Sequence, residues 1–379
     1  MKSIKTLIAL SCAASFAVNA EVRINGFANL IGGITSSDET LYGYDDNISF
    51  SEESLFAIQV SGDINDKMTA TGQLVARGID DYDPDFEWAY LTYQATDNVS
   101  VSAGRLRLPL FRYSASLDVG YSYHWVTAPP SVYNVPFNNI DGVRFDYSNY
   151  AGDWEYNLQL AAGAVNSDGT VGKIEGSNTI VLTAEAAYEW FKVRGVYGRS
   201  KITITPEGPG TEALIEAFAG LTQLGLTGLV DDLAVDDDTG EFLGFGIEAD
   251  MYDWFVAAEM TSVTLDDTFI PEDVAYYVTA GMRVGKFTPS VTYENKDGEE
   301  DIKFLQRLSG VPAQLQPTVT GIVTAVQQSQ FEKFDVLTLG LRYDYDTNIA
   351  LKADVTKYGD DLNGANDTTL VRFGVNYVF

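Results

Sequence analysis

Apolar and polar residues alternate along almost the whole chain after residue 20. At its end the apolar residues occupy every second position: Val371, Phe373, Val375, Tyr377 and Phe379, with Arg372, Gly374 and Asn376 between them. A period of two is typical of a β-strand with one apolar and one polar face. The pattern predicts an all-β fold with sixteen strands, at residues 21–35, 53–64, 67–78, 86–95, 98–108, 141–148, 153–166, 179–189, 191–203, 242–250, 252–264, 273–284, 286–296, 335–345, 347–357 and 368–379.

The links between these strands alternate in length. Seven are short turns and eight are long, at residues 36–52, 79–85, 109–140, 167–178, 204–241, 265–272, 297–334 and 358–367. A transmembrane antiparallel barrel with an even number of strands sorts its links in this way, whereas a soluble sandwich has no reason to do so. We therefore predict one domain, a barrel of about sixteen strands over residues 21–379.

Two of the long links differ from plain polar loops. Residues 211–230 and 312–330 are apolar or amphipathic, which predicts some helical character. The first segment could fold over the barrel mouth or pack against a neighbouring subunit, and the sequence does not choose between these arrangements.

Residues 1–20 read as a secretory signal peptide. Lys2 and Lys5 precede an apolar run that ends in the small-x-small pattern of Val18 and Ala20, which predicts cleavage after Ala20. The single cysteine, Cys12, lies inside this segment, so no disulfide is expected. Together with the barrel pattern, this predicts export to the outer membrane of a Gram-negative bacterium.

The chain is strongly acidic, with a net charge of −30 at pH 7. A nucleic-acid partner is excluded, because such proteins present a basic face to phosphate groups. The acids concentrate in the long links, as at Asp80, Asp81, Asp83 and Asp85. They could form a solvated surface, a negative vestibule that concentrates cations, or a surface that binds divalent ions between lipopolysaccharide molecules. Their spacing defines no metal site, and we expect no metal and no cofactor.

Arginines recur on the polar phase of the strands. Arginine facing lipid in mid-strand would cost about 2–4 kcal/mol, so these positions should face water inside the barrel. Arg105 and Arg107 break the phase, and a bulge near Gly104 would turn both inward. The predicted pore-lining set is Arg23, Arg77, Arg105, Arg107, Asp118, Arg144, Arg342 and Arg372. The alternative for each arginine is a local pair with a neighbouring carboxylate.

The third long link, residues 109–140, is rich in aromatic residues and poor in charge. Asp118 is its lone acid before Asp141. An exposed loop of so acidic a protein should be charged, so we predict that this loop folds into the lumen. There it would narrow the pore and place Asp118 opposite the arginine wall.

In these features the chain resembles the bacterial general diffusion porins. The resemblance covers the layout of residues 21–379 and is carried by the inward third loop, the return strand VPFNNIDGVRFDYS and the ending VRFGVNYVF. It implies a homotrimer among outer-membrane lipid and lipopolysaccharide. It also implies a constriction with Asp118 on the loop facing Arg23, Arg77 and Arg144. The loop has fewer acids than the family's pattern, which implies a weaker transverse field.

The function predicted from these features is a water-filled channel for passive diffusion of small hydrophilic solutes and ions, with a mild cation preference. A substrate-selective porin is the alternative, with sugars stacked on loop tyrosines or anions on arginines. A structural or adhesive barrel is a further alternative. An enzyme is disfavoured, because His124 is the only histidine and neither Ser122 nor Ser131 has the spacing of a nucleophile elbow.

Overall fold

A computed structural model describes residues 21–169, 172–208, 211–266, 268–299 and 301–379. The predicted signal peptide, residues 1–20, lies outside the described residues. Within these ranges the strands are β1 (Val22–Thr35), β2 (Leu55–Asn65), β3 (Met68–Arg77), β4 (Pro84–Thr96), β5 (Val99–Arg107), β6 (Asn139–Ala151), β7 (Trp154–Gly169), β8 (Gly172–Tyr188), β9 (Phe191–Thr205), β10 (Asp238–Asp250), β11 (Trp254–Leu265), β12 (Asp273–Met282), β13 (Phe287–Gly298), β14 (Glu332–Asp346), β15 (Ile349–Asp360) and β16 (Thr368–Val378).

Each strand pairs antiparallel with its neighbours in sequence, and β16 pairs with β1 to close the barrel. The closing register sets Phe27 opposite Val378 and continues to Thr35 opposite Leu370. Phe379 extends the ladder, because its N–H donates to the Gly26 carbonyl over 2.9 Å and its carbonyl accepts from the Gly26 N–H over 3.0 Å. Closure leaves none of the sixteen described strands with an unpaired edge, as a sheet in lipid requires. The predicted all-β antiparallel barrel of sixteen strands is confirmed.

The two faces of the wall differ as the alternation predicts. On β6, Val143 and Phe145 point outward and are 51% and 43% exposed, while Arg144 and Asp146, at the alternate positions, point inward and form a pair. Rows of exposed Leu, Val and Phe repeat this outward phase on the other strands. Such a surface suits lipid, and the polar inner surface suits water. Among the described residues, no helix is long and apolar enough to span a membrane.

One predicted link is wrong. Residues 167–178 were expected to form a loop, but β7 and β8 continue as a paired ribbon to Gly169 and Gly172. The polar run around Asp168 is typical of a turn, which explains the prediction. The ribbon is stabilised by a tertiary contact that periodicity does not reveal, since Ile174 is buried in a cluster with residues of the fifth and seventh long links.

Short helices occupy the long links of the described chain. They are α1 (Pro130–Tyr133), α2 (Glu212–Gln223), α3 (Thr227–Leu233) and α4 (Gln316–Gln328), with 3₁₀ turns at Gly78–Asp80, Ser114–Ser116, Gly120–Ser122, Lys303–Gly310 and Gly364–Asn366. The helical character predicted for 211–230 and 312–330 is confirmed. Residues 211–235 and 301–330 pack against each other as one unit, here called the helical cap, around Leu221, Leu233, Phe304, Val319 and Val323.

Candidate functional site: a charged constriction in the lumen

The third loop, residues 108–138, folds into the lumen as predicted. Its first part buries Leu108, Leu110 and Phe111 in a cluster that includes Val181 and Val196 of the wall. Its aromatic residues pack edge to face, as in the contact of Trp125 with Tyr277 of β12 at 5.5 Å between ring centroids. The apolar composition of the loop is thereby explained, because most of its side chains face the wall or each other.

Cations of the wall bind the backbone of this loop. The Arg342 guanidinium donates to the carbonyls of Tyr121 and Tyr123 over 2.6 and 2.8 Å. The Lys352 ammonium donates to the carbonyls of Gly120 and Trp125, each over 2.5 Å. A loop without regular structure leaves carbonyls unpaired, and a buried unpaired carbonyl is costly. These two wall cations satisfy four of them and hold the loop in place.

Carboxylates of the wall bind donors of the loop. Glu294 accepts from the N–H and the hydroxyl of Ser131 over 3.2 and 2.8 Å. Glu259 accepts from the N–H of Arg112 over 2.9 Å and from the Tyr133 hydroxyl over 2.7 Å. Both carboxylates are 3% exposed. The loop is therefore held by charge-assisted hydrogen bonds of both signs.

Asp118 is the centre of the constriction. Its carboxylate contacts Arg77 at 3.0 Å and Arg107 at 2.5 Å. Glu87 bridges the same two arginines, at 2.8 and 2.9 Å. The Asn29 side chain donates to the Asp118 carbonyl over 2.8 Å and fixes the tip of the loop against β1. Two cations and two anions meet here, so the cluster is close to neutral.

A bulge in β4 places Glu87 in this cluster. Trp88 pairs with Gln73 and Phe86 pairs with Leu74, which leaves Glu87 without a partner residue on β3. A bulge lets two successive side chains, here Glu87 and Trp88, share one face of the sheet. Phe86 meanwhile stays outward and is 56% exposed. The inward phase of Glu87 is the one that the alternation predicts, and the bulge, which the sequence pattern does not show, brings Trp88 onto the same face.

Burial and charge act in opposite directions on Asp118. Burial by itself raises the pKa of this carboxyl, but Arg107 and Arg77 outweigh it. The net result is a pKa below the ordinary value of 3.8, so Asp118 is ionised at neutral pH. An ionised acid on the loop facing arginines of the wall is the arrangement that the sequence predicts for Asp118 and Arg77.

The structure differs from the prediction for Arg105. The β5–β6 register runs unbroken through Gly104, so no bulge reverses the phase there. Arg105 stays on the outer face, 44% exposed, and pairs with Asp141 at 3.0 Å. Only Arg107 of the pair reaches the constriction, where β5 ends and the chain enters the lumen. The extra residue lies in β4, at Glu87. Gly104 adds no residue to its strand and has a φ of +135°, which glycine adopts readily.

Arg144 and Arg23 lie inside the barrel but away from Asp118. Arg144 pairs with Asp146 on its own strand at 3.0 Å and is 21% exposed. Arg23 pairs with Asp63 at 2.7 Å, close to the short-turn end of the barrel. Neither forms the facing pair with Asp118 that the family resemblance implies. Each forms a local pair with a carboxylate, which is the alternative stated above for every arginine.

Arg372 of β16 is a further anchor of the loop. It is 3% exposed and donates to Asp354 and Glu53, each over 2.8 Å, and to the Thr127 hydroxyl over 2.6 Å. Glu53 lies before β2, so Arg372 joins the first link, the third loop and β15. Like Arg342, it donates hydrogen bonds to the loop.

Four residues of the site are absent from the predicted set: Glu87, Glu259, Glu294 and Lys352. Their inward phase on the strands was visible in the sequence. Their contacts in the site were not visible in the sequence, because these contacts depend on the height at which the loop crosses the lumen.

His124 is a packing residue. Its ring lies 4.1 Å from that of Trp125 and 4.5 Å from that of Phe255, and its Nε2 contacts the Thr279 hydroxyl at 3.1 Å. Burial, and then the nearby Lys352, lower the pKa of His124 well below its ordinary value. Ser131 is engaged with Glu294 instead. Within the part of the chain that the structure describes, no group of three or more His, Cys, Asp or Glu residues could hold a metal ion.

Solved structures share this architecture. The outer membrane channel DcaP of Acinetobacter baumannii is 14% identical, with a TM-score of 0.59 over 97% of this chain and 100% of that chain. The trimer form of OmpT, an outer membrane protein of Vibrio cholerae, is 12% identical, with a TM-score of 0.54 over 95% and 99%. An anion-selective porin from Comamonas acidovorans is 12% identical, with a TM-score of 0.56 over 95% and 100%.

Neither a family model nor a curated protein matches the chain in sequence. The likeness at such low identity concerns the fold. The protein has the fold of the Gram-negative outer-membrane porins, as the resemblance predicted.

Proposed function

We propose that the protein is an outer-membrane porin, a water-filled channel through which small hydrophilic solutes and ions diffuse passively. The observation that carries this proposal is that charged side chains of the inner wall stay partly exposed although a charged loop crosses the lumen. Arg77, Arg144 and Glu185 on the inner wall keep 30%, 21% and 28% of their side-chain surface in water. A structural barrel with a plugged lumen would have no reason to keep charged groups hydrated there.

Cation preference follows from where charge is unpaired. The arginines of the constriction are matched by Asp118 and Glu87, so their attraction for anions is largely cancelled. The long links, on the other hand, keep exposed acids such as Asp231, Asp236 and Asp361. An excess of one sign at a mouth raises the local concentration of the opposite ion. A mild preference for cations is the expected balance.

Export and assembly complete the proposal. Residues 1–20 would direct secretion and be removed, and the barrel would lie among outer-membrane lipid and lipopolysaccharide. The trimer form of the Vibrio cholerae protein supports a homotrimer here. The outward rows of apolar side chains can face either lipid or a neighbouring barrel.

The alternatives are less well supported. Sugar binding by the loop tyrosines loses its basis at Tyr123 and Tyr133, because their rings are 5% and 4% exposed. Hydrolytic catalysis loses its candidate serines, since the Ser122 hydroxyl donates to the Ser116 carbonyl and the Ser131 hydroxyl donates to Glu294, while His124 is packed against Trp125 and Phe255. We therefore propose a channel with no enzymatic activity and no cofactor.

The test is conductance in planar lipid bilayers. Purified protein should give ohmic channels, and a KCl gradient should give a reversal potential on the cation-selective side. Protein that inserts but never conducts would refute the pore. A clear anion preference would leave the pore standing and refute the charge balance proposed for it.

A further inference from the structure

The helical cap packs on the lumen side of the wall. On β9, Val196 belongs to the buried cluster of the third loop, whereas Ile202 and Ile204 belong to the buried cluster of the cap. The pairing of β9 with β10 is unbroken from Phe191 to Ile202, so positions of β9 that differ by an even number share one face. The cap therefore covers the same inner face of the wall that the third loop covers lower down.

Strand β11 shows the same arrangement. Glu259 binds donors of the third loop, and Leu265, on the same phase of the strand, packs against the cap. β11 pairs with β10 without a register shift over this stretch. A Cβ atom on Gly240 of β10 would lie 3.0 Å from Ile202 and 3.7 Å from Leu265, so these two side chains meet on one side of β10. Two strands thus place the cap on the lumen side of the barrel.

The cap and the third loop lie at different heights of the wall. Six residues separate Val196 from Ile202, which is about 20 Å along a strand. The long links of a transmembrane barrel are at its extracellular end. A solute that enters from outside would therefore meet the cap before it meets Asp118.

The cap joins two separate parts of the barrel rim. Its first segment, residues 211–235, connects β9 with β10, and its second segment, residues 301–330, belongs to the link between β13 and β14. The segments share one apolar core and an ion pair of Arg307 with Asp232 at 3.3 Å. Phe269, from the link after β11, is buried in the same core. Segments that start from separate points of the rim and meet on its lumen side must extend over part of the entrance.

We propose that the helical cap is a lid over the extracellular entrance and limits the size of the solutes that reach the constriction at Asp118. Helix α4, with the sequence QPTVTGIVTAVQQ, carries no charged side chain. Its exposed positions, such as Thr318, Gly321 and Ala325, can exclude a solute by contact but carry no charge that attracts or repels it. The lid therefore sorts solutes by size, whereas the constriction below it acts on their charge. The inference rests on the proposed channel function and adds a second filter to it.

The first experiment measures the uptake of neutral sugars by the swelling of proteoliposomes. Val319→Asp places an unpaired carboxylate in the core of the cap, where Val319 is 0% exposed, and should detach α4. The ratio of raffinose uptake to arabinose uptake should then rise severalfold, because the lid holds back only the larger sugar. Thr318→Asp is the matched control, since it adds the same charge at the neighbouring exposed position and should leave the ratio unchanged. Proteolysis within residues 301–330 shows whether the cap has opened.

The second experiment does not depend on unfolding the cap. Thr318→Cys and Thr205→Cys, in the chain without residues 1–20, are each coupled to a polyethylene glycol maleimide. Thr318 lies on the cap, and Thr205 is exposed on the outer phase of β9, next to Ile204. The polymer should lower the single-channel conductance by a large fraction at Thr318→Cys and much less at Thr205→Cys.

Either of two results would overturn the lid. One is an unchanged uptake ratio in Val319→Asp when proteolysis shows that the cap has opened. The other is an equal effect of the polymer at residues 318 and 205. A wild-type protein that admits neither arabinose nor ions would instead refute the channel itself.

Discussion

The third loop and the helical cap are both formed by long links of the barrel, but different kinds of interaction distinguish them. The loop lies inside the barrel and is fixed by charged wall groups, such as Lys352 and Glu294, that bind its backbone and hydroxyls. The cap is fixed by burial of apolar side chains such as Val319 and Val323, each 0% exposed. The loop also buries apolar side chains, but its irregular backbone and its hydroxyls need polar partners, and charged groups of the wall supply them.

In the proposed channel, the charged groups that hold the loop would also set the electric field that a passing ion meets, so the same residues would determine loop structure and ion selectivity. The apolar contacts of the cap carry no charge. A change in the cap should alter local stability without altering selectivity, whereas a change at the loop should alter both.

The largest expected effect comes from removing a buried anchor of the loop. Arg372→Ala leaves Asp354 and Glu53 without their cation, and breaking a buried pair from one side costs about 3–5 kcal/mol. The free energy of unfolding, measured by urea titration in lipid vesicles, should fall by this amount. Arg144→Ala is the control, since its pair with Asp146 is partly hydrated and should contribute about 1 kcal/mol or less. Equal losses would contradict the anchoring role.

A smaller effect is expected in the cap. Val323→Ala removes two buried carbon atoms and leaves a small cavity, which should cost about 2 kcal/mol. The loss should appear as faster proteolysis within residues 301–330, with unchanged ion selectivity. Thr318→Ala, at an exposed position of the same helix, should leave proteolysis unchanged. A changed reversal potential in Val323→Ala would show that the cap and the constriction are coupled.

Neutralising the loop acid should change selectivity. Asp118→Asn leaves Arg77 and Arg107 with Glu87 alone, so the constriction gains a net positive charge. A unit charge about 4 Å from an ion in water is worth about 1 kcal/mol, so the permeability ratio of K⁺ to Cl⁻ should fall about fivefold. Reversal potentials in a KCl gradient measure it. Asp141→Asn, on the outer face, should have no effect, and an equal shift there would exclude a special role for Asp118.

The smallest effect is a pH dependence at the acid extreme. Because the pKa of Asp118 is lowered below 3.8, its contribution to loop docking is complete above that value and is lost only as the pH falls below it. Proteolysis of the loop and single-channel noise should therefore be unchanged between pH 7 and pH 5. A transition in that range that disappears in Asp118→Asn would contradict the depressed pKa.

The barrel could be predicted from the sequence because a period of two fixes which side chains share a face. Arg144 and Val143 follow directly from it. The inward phase of Glu87 follows from it as well, but the bulge of β4 could not be predicted, since a bulge is one extra residue in a strand whose alternation looks much the same with or without it. Arg105 is placed wrongly for a related reason, because the sequence suggests a bulge at Gly104, whereas the structure has the bulge in the neighbouring strand.

The candidate site was predicted only in outline. The composition of the third loop is too apolar for an exposed loop, and Asp118 stands out because it is the lone acid before Asp141. The partners of the loop depend on the height at which it crosses the lumen, which is a long-range property. The same is true of Ile174, whose burial under the cap turns a predicted loop into a strand ribbon.

The most direct measurement of the central claim uses cysteine substitutions in the chain without residues 1–20, which contains no native cysteine. Arg144→Cys places a thiol on the inner wall, and Val143→Cys places one on the outer face one residue away. A negatively charged thiol reagent added to single channels should change the conductance of Arg144→Cys in a step and leave Val143→Cys unchanged. An unreactive Arg144→Cys channel, or equal responses from the two variants, would contradict a water-filled lumen bounded by this face of the wall.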